Sequence, residues 1–348
     1  MVWMVLTHLI DWWLISDYNW LHSATIMIFD PIGASGFLFI SGVSISLSYK
    51  RRLMRVNDSK DYNRKTMRNS YLLRALLVFL VAIMYNSFIA ITLKNPSWIW
   101  TWFVLLTAAV SLFIGWPLLK TSRLFRIIIG ILFWIANQIV KVVLIPYQGV
   151  PNFYGILFHF FYHNISQDPI LVFFPFFLFG TVLGDTLFTT IFSNQSEEDN
   201  RRTFVQKFLK PTATIGSVLI ISGILLNFPS FLFRQSLSWI IYSLGIDVLL
   251  LSLLVSIEKF NLIRVKKSYK FLFYYSYYSL TIYLAHNLLF FVLLEKLNVI
   301  TIWIAVIVTY FLITLLFRII YKKLNSRASL KAQIGRISLI LTRKLQKS

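Results

Sequence analysis

Apolar runs of about twenty residues recur along the whole chain, separated by short polar stretches. A run of that length, wound as a helix, matches the ~30 Å hydrocarbon core of a bilayer at 1.5 Å per residue. Ten such runs are read, at roughly 1–15, 32–49, 71–93, 97–119, 124–146, 169–192, 212–233, 236–256, 271–294 and 298–320. The ~10-residue alternating segments of a membrane β-barrel are missing. The pattern predicts an all-α polytopic membrane protein with about ten transmembrane helices, followed by a polar tail at 322–348.

Composition supports this and adds an orientation. Of the 348 residues 57% are hydrophobic and 14% charged, against about 25% charged in soluble domains. Cysteine is absent, which excludes disulfides, thiolate nucleophiles and Cys-ligated metal centres. The net charge of +21 would suggest nucleic acid on a soluble chain, so its location matters. Eight Lys and Arg lie in 50–70, three near 120–126, four in 193–211, five in 258–270 and eight after Tyr321. The alternate loops hold Lys94, Arg234 and Lys296, and 147–168 holds none. Cytoplasmic loops collect Lys and Arg, so both termini are expected in the cytoplasm of a multi-pass cell-membrane protein. Nucleic-acid binding is set aside. The tail, basic with interspersed Leu330, Ile334, Ile337 and Leu341, reads as an interfacial helix on anionic inner-leaflet lipids.

Polar groups inside spans are costly and point to function. His8 and Asp11 are three residues apart on one helix face and could form a carboxylate–imidazole pair. His22 and Asp30 bracket the first external loop, with Asp30 ahead of Pro31 and Gly33. In the ninth span Tyr283, His286 and Asn287 are candidates to line a substrate, with His286 ~22 Å along an outward-running helix. Asp247, mid-span in the eighth run, where a carboxylate needs a partner, a proton or water, is a further candidate to line the substrate. Asp185 follows Gly180 and Gly184, and Gly33, Ser35, Gly36, Ser41, Gly42 and Ser44 suit close helix packing. No metal is expected, since His159 and His163 have i, i+4 spacing but no evident third ligand.

Three segments carry a resemblance: Met4-Val5-Leu6-Thr7-His8 followed by aromatics and an acid; Phe37 to Tyr49 running into a basic loop; and Ser279-Leu280-Thr281-Ile282-Tyr283-Leu284-Ala285-His286. Together they are similar to the heparan-α-glucosaminide N-acetyltransferase catalytic-domain family, a relative of the acyltransferase-3 membrane enzymes. The resemblance implies one transmembrane acyltransferase-like domain over 1–321. It also implies transfer of an acetyl or acyl group from cytoplasmic acyl-CoA, as co-substrate, to a hydroxyl or amine of a carbohydrate or lipid-linked acceptor. By position, His8 resembles the histidine after the first-helix motif of bacterial members. His22 with Asp30 resembles the external histidine and acid of the animal enzyme. The two are competing assignments for one catalytic role, with His8 ahead because Asp11 shares its face. The family usually carries an Arg and an Asp-x-x-Arg-Gly motif ahead of the segment matching residues 1–8, and this sequence opens after that point, so a shortened start or a lost motif is expected. Two other readings stand beside the enzyme: a transporter or lipid-handling protein with a proton relay, and a non-catalytic family member. Self-association into a homo-oligomer is left open.

Orientation is directly testable because the chain has no native cysteine. A single cysteine introduced in 147–168 is expected to react with an impermeant thiol reagent from the outside alone. Labelling from the cytoplasmic side would overturn the charge-based orientation.

Overall fold

The computed structural model describes residues 1–58, 63–191, 197–263 and 270–347. Of the basic positions counted above, Lys60, Arg264, Lys266 and Lys267 lie outside the described residues. The described chain is helical, in the order α1 (Val2–Trp13), α2 (Asn19–Phe29), α3 (Ala34–Asp58), α4 (Arg64–Thr92), α5 (Val104–Leu118), α6 (Arg123–Leu144), α7 (Phe153–Phe161) and α8 (Ile170–Ile191). There follow α9 (Glu197–Phe204), α10 (Lys210–Leu226), α11 (Leu237–Lys259), α12 (Lys270–Tyr277), α13 (Ser279–Ala285), α14 (Thr301–Leu324) and α15 (Leu330–Lys347). Several starts are set by side chains that accept a free backbone N–H: Asn63 from Thr66 at 2.9 Å, Ser122 from Phe125 at 3.2 Å and Ser236 from Trp239 at 3.0 Å.

Among the described residues, seven helical stretches are long and apolar enough to cross a membrane. The remaining expected spans depart from the periodicity reading. The first is a helix of 12 residues, ~18 Å long and short of the ~30 Å core. The fourth begins with a 3₁₀ turn at Pro96–Trp100 and continues as the 15-residue α5. The seventh, itself among the seven long stretches, ends at Leu226, ahead of the expected 233. The ninth is interrupted: α12 stops at Tyr277, α13 follows, and the chain tightens to 3₁₀ over His286–Phe291. The ~22 Å depth assigned to His286 assumed an unbroken helix and does not stand. Beside the break, Tyr278 Oη donates to the Asn325 carbonyl at 2.8 Å and Thr281 Oγ1 to that of Ala328 at 3.1 Å, which ties this stretch to the turn after α14.

The chain forms two compact units. One comprises Met1–Gly33 and Ile263–Leu341, the other Ala34–Leu262 with Thr342–Ser348. In the first, Val5, Leu9, Ile10 and Trp13 on one face of α1 pack with Tyr274, Tyr275, Tyr278, Ile282, Ile302 and Phe317. The far end of α1 is held by backbone bonds, Glu295 N–H to Trp12 O at 2.9 Å and Leu297 N–H to Trp13 O at 2.8 Å. These donors satisfy carbonyls that a helix end leaves free.

In the second unit α8 is the central helix, with both Gly180 and Gly184 against α3. A Cβ on Gly180 would lie 2.0 Å from the Phe39 carbonyl oxygen, and one on Gly42 would lie 2.0 Å from that of Phe177. Small residues at the crossing therefore bring two backbones into contact, the usual basis of helix association in lipid. About one turn from this contact Asp185 gathers three helices, α3, α6 and α8. Arg126 of α6, fully buried, pairs with Asp185 Oδ2 and donates to Thr181 Oγ1 at 2.9 Å. From α3, Ser46 Oγ donates to Asp185 Oδ1 at 2.6 Å, and Lys50 Nζ stands 3.9 Å away.

The segment 147–168 carries α7, fixed by Trp100 and Trp102, whose indole N–H groups donate to Phe160 O at 3.1 and 2.8 Å. Within it His159 and His163 meet through their Nδ1 atoms at 2.9 Å. Burial, and then His159, push His163 down to about 4.

Removing one member of the Asp185 cluster leaves a buried charge uncompensated. Arg126→Met is expected to destabilise the protein by ~3–5 kcal/mol, read as thermal unfolding in detergent. Arg126→Met combined with Asp185→Leu should recover most of that loss, and a double variant as unstable as the single one would refute the pairing argument.

Candidate active site

The histidines of the first unit fall into two groups, and the geometry of α1 separates them. Residues three apart on a helix differ by ~60° in direction and residues four apart by ~40° in the opposite sense. His8 and Trp12 therefore point one way while Asp11 points another. Asp11 Oδ1 lies 2.8 Å from His22 Nε2 on α2, at ion-pair distance though without the alignment of a hydrogen bond. Packing of Trp3 edge-on against Phe29, with ring centres 4.5 Å apart, holds α2 beside α1. The expected His8–Asp11 pair is thus replaced by a His22–Asp11 pair. Their side chains are 28% and 47% exposed, while the contacting nitrogen, His22 Nε2, is itself buried.

The second group is enclosed by aromatic rings. His8 stacks on Trp12 with centres 4.9 Å apart and faces His286 at 5.1 Å. Trp12 also stacks on His286 at 5.6 Å, and Phe290 meets Trp12 edge-on at 5.7 Å. His286 is buried, and its Nδ1 bonds to the carbonyl of Tyr283. A carbonyl can only accept, so in the neutral ring Nδ1 holds the proton and Nε2 keeps the lone pair. The 3₁₀ segment is in turn clamped to α1 by Trp13 Nε1, which donates to Leu289 O at 2.7 Å.

Of the remaining candidates, Tyr283 is buried with its ring centre 5.7 Å from that of His286. Asn287 is half-buried on the same 3₁₀ turn, and Asp30 is half-buried in the turn Asp30–Ile32. Asp247 belongs to the second unit. It is buried on α11 and accepts a hydrogen bond from Ser35 of α3. Periodicity overlooked Trp12 and Phe290 as walls of the His8–His286 group. The i, i+4 relation of His8 to Trp12 was a usable signal. No group of three or more metal-ligating side chains gathers among the described residues.

The paired imidazoles and the imidazole–carboxylate contact thus lie in a helical chain that has, among the described residues, seven stretches long and apolar enough to cross a membrane. The sequence profile of the heparan-alpha-glucosaminide N-acetyltransferase catalytic family matches residues 1–221. The chain belongs to that family, an acetyltransferase family, and the match includes His8, Asp11, His22 and Asp30. Curated proteins and solved structures give no match to it.

The division between the two groups predicts separable spectra. With five histidines in the chain, each ¹⁵N imidazole signal can be assigned by single His→Asn variants. Asp11→Asn is expected to shift the His22 signals and leave those of His8 in place. His286 should report a proton on Nδ1. A shift at His8 with none at His22 would restore the pairing read from the sequence.

Proposed function

We propose that the protein is a membrane acyltransferase that moves an acetyl or acyl group from acyl-CoA to a hydroxyl or amine of a sugar or lipid-linked acceptor. The observation that carries this reading is the 2.8 Å approach of His22 Nε2 to Asp11, in a chain of an acetyltransferase family. In this reading His22 is the general base. It takes the proton from the acceptor as oxygen or nitrogen attacks the thioester carbonyl. The tetrahedral intermediate collapses with loss of the CoA thiolate, which accepts a proton to give CoA-SH. Asp11 stabilises the imidazolium formed on the way. His8, His286, Tyr283 and Asn287 line the acceptor, and Asp30 stands at the following turn.

The donor side is supported by a basic groove along α3. Ser44, Leu47, Ser48, Arg51, Arg52 and Arg55 line it, and Arg52 also borders a small cavity with Arg74, Tyr49, Tyr71 and Trp116. Guanidinium forks bind phosphate oxygens through paired charged hydrogen bonds, which suits the diphosphate of CoA. Ten crossings, cytoplasmic termini and an external acceptor complete the proposal, with charge asymmetry as their support. Helix α15 places Lys331, Arg336, Arg343 and Lys344 near Ile334, Ile337 and Leu341, a composition fit for an anionic inner leaflet.

The assay is CoA release by purified protein in nanodiscs. His22→Ala is expected to lower turnover ~10²–10⁴-fold while acyl-CoA binding survives. Arg52→Ala should instead raise the KM for acyl-CoA. Full activity in both His22→Ala and His8→Ala would remove the histidine mechanism.

A further inference from the structure

Helix α11 carries a row of polar groups that the acyl-transfer reading does not use as a set. Gln235, just ahead of the helix, and Trp239, Ser243 and Asp247 within it follow one another at intervals of four residues. All four are buried, none more than 3% exposed. Within the helix, the intervals from Trp239 to Ser243 to Asp247 each advance ~6 Å along the axis and turn ~40°, so these three form one gently winding stripe, with Gln235 in the turn just ahead of it. Among the described residues, Gln235 Oε1, Trp239 Nε1, Ser243 Oγ and Asp247 Oδ2 have no hydrogen-bond partner.

The rest of the helix is different. Ser238 Oγ bonds to the Gly223 carbonyl, Ser252 Oγ meets Thr212 Oγ1 at 2.9 Å, and Ser256 Oγ donates to Ser252 O at 2.7 Å. Unsatisfied polar atoms are therefore confined to the stripe and are not a general feature of α11. A buried donor or acceptor without a partner is strongly disfavoured, and in folded proteins such groups are usually bridged by internal water. Two hydrogen bonds of ~2.8 Å through one water span about the rise between successive members. The chemistry alternates suitably along the stripe: acceptor, donor, hydroxyl, carboxyl.

We propose that this face of α11 holds a short file of internal waters running from Gln235 past Trp239 and Ser243 to Asp247, which makes Asp247 an exchangeable proton site within the membrane. Gln235 marks the entry, since its Nε2 donates to the carbonyls of Ile165 and Gln167 at 2.6 and 2.7 Å in the 147–168 segment. Phe173 and Phe176 of α8 close the apolar side against Trp239, with ring centres at 6.0 and 6.4 Å. Among the described residues no charged group of α3, α8, α10 or the 205–209 turn, all of which contact α11, acts on Asp247, and the side-chain donor to it is Ser35. An unpaired carboxylate there is costly, so Asp247 is carried as the acid. Its hydroxyl donates to the last water of the file. Exchange passes that proton to water and returns another, with no net chemistry and no further reactant.

The proposal is independent of acyl transfer and is read by infrared difference spectroscopy on the full chain in nanodiscs, transferred from H₂O to D₂O. The expected result is a protonated-carboxyl C=O band that shifts on deuteration, disappears in Asp247→Asn and moves in Asp247→Glu. Because the Glu variant keeps the acid, the assignment does not hinge on the folding of the Asn variant. Ser243→Val and Trp239→Phe should retain the band but slow its exchange about tenfold or more, since exchange must then wait for local opening. Absence of any acid band that responds to residue 247 would overturn the proposal. So would an unchanged exchange rate in both Ser243→Val and Trp239→Phe.

Discussion

The second unit depends on one buried ion pair. Arg126 and Asp185 would each be strongly disfavoured alone in a hydrocarbon-facing bundle, and together they require α6 and α8 to stay in register. Ser46 and Lys50 bring α3 to the same carboxylate. One turn further along, Gly42 and Gly180 let α3 and α8 touch backbone to backbone. In lipid no general hydrophobic force presses helices together, so such close steric fit and buried polar bonds set the arrangement. The basic groove along α3 then has a rigid wall, because the helix that supplies its arginines is fixed at Ser46 and Gly42.

The first unit solves a different problem. Its α1 is too short to span a bilayer by itself, and its far end is completed by backbone donors from residues 295–297. That connection is what brings the 3₁₀ segment at His286 against Trp12 and His8. The break after Tyr277 belongs to the same logic. The Tyr278 and Thr281 hydroxyls anchor this stretch to the loop after α14, and the following turn presents His286 with its Nε2 lone pair available. Broken helices inside a membrane persist where protein supplies the missing partners.

Across both units, polar residues in apolar surroundings sort into two kinds. Some are fully occupied by neighbours, such as Asp185, Thr212 and Ser252. Others keep one atom without a protein partner among the described residues, such as Asp247 Oδ2, Ser243 Oγ and Trp239 Nε1. The first kind holds helices together, and the second leaves bonding capacity for water or substrate. A mid-span acid in the sequence is compatible with either role, and its partners separate them.

The sequence by itself determined the class, the rough place of most apolar segments, and the family. Hydropathy at a 20-residue scale and the motif around Phe37 to Tyr49 are local properties, written in consecutive residues. It also identified His8, Asp11, His22 and His286 as the groups worth attention, because ionisable side chains stand out in apolar runs. Tertiary structure decided which of them meet. Asp11 and His8 share a face by spacing, yet a difference of ~60° in direction was enough for Asp11 to reach His22 on another helix while His8 joined Trp12 and His286. Arg126 looked like one more basic residue at a loop, and packing against α8 made it the partner of Asp185. Spacing along one helix fixes direction to within a quadrant, whereas a contact depends on the position of a second helix that no local pattern encodes.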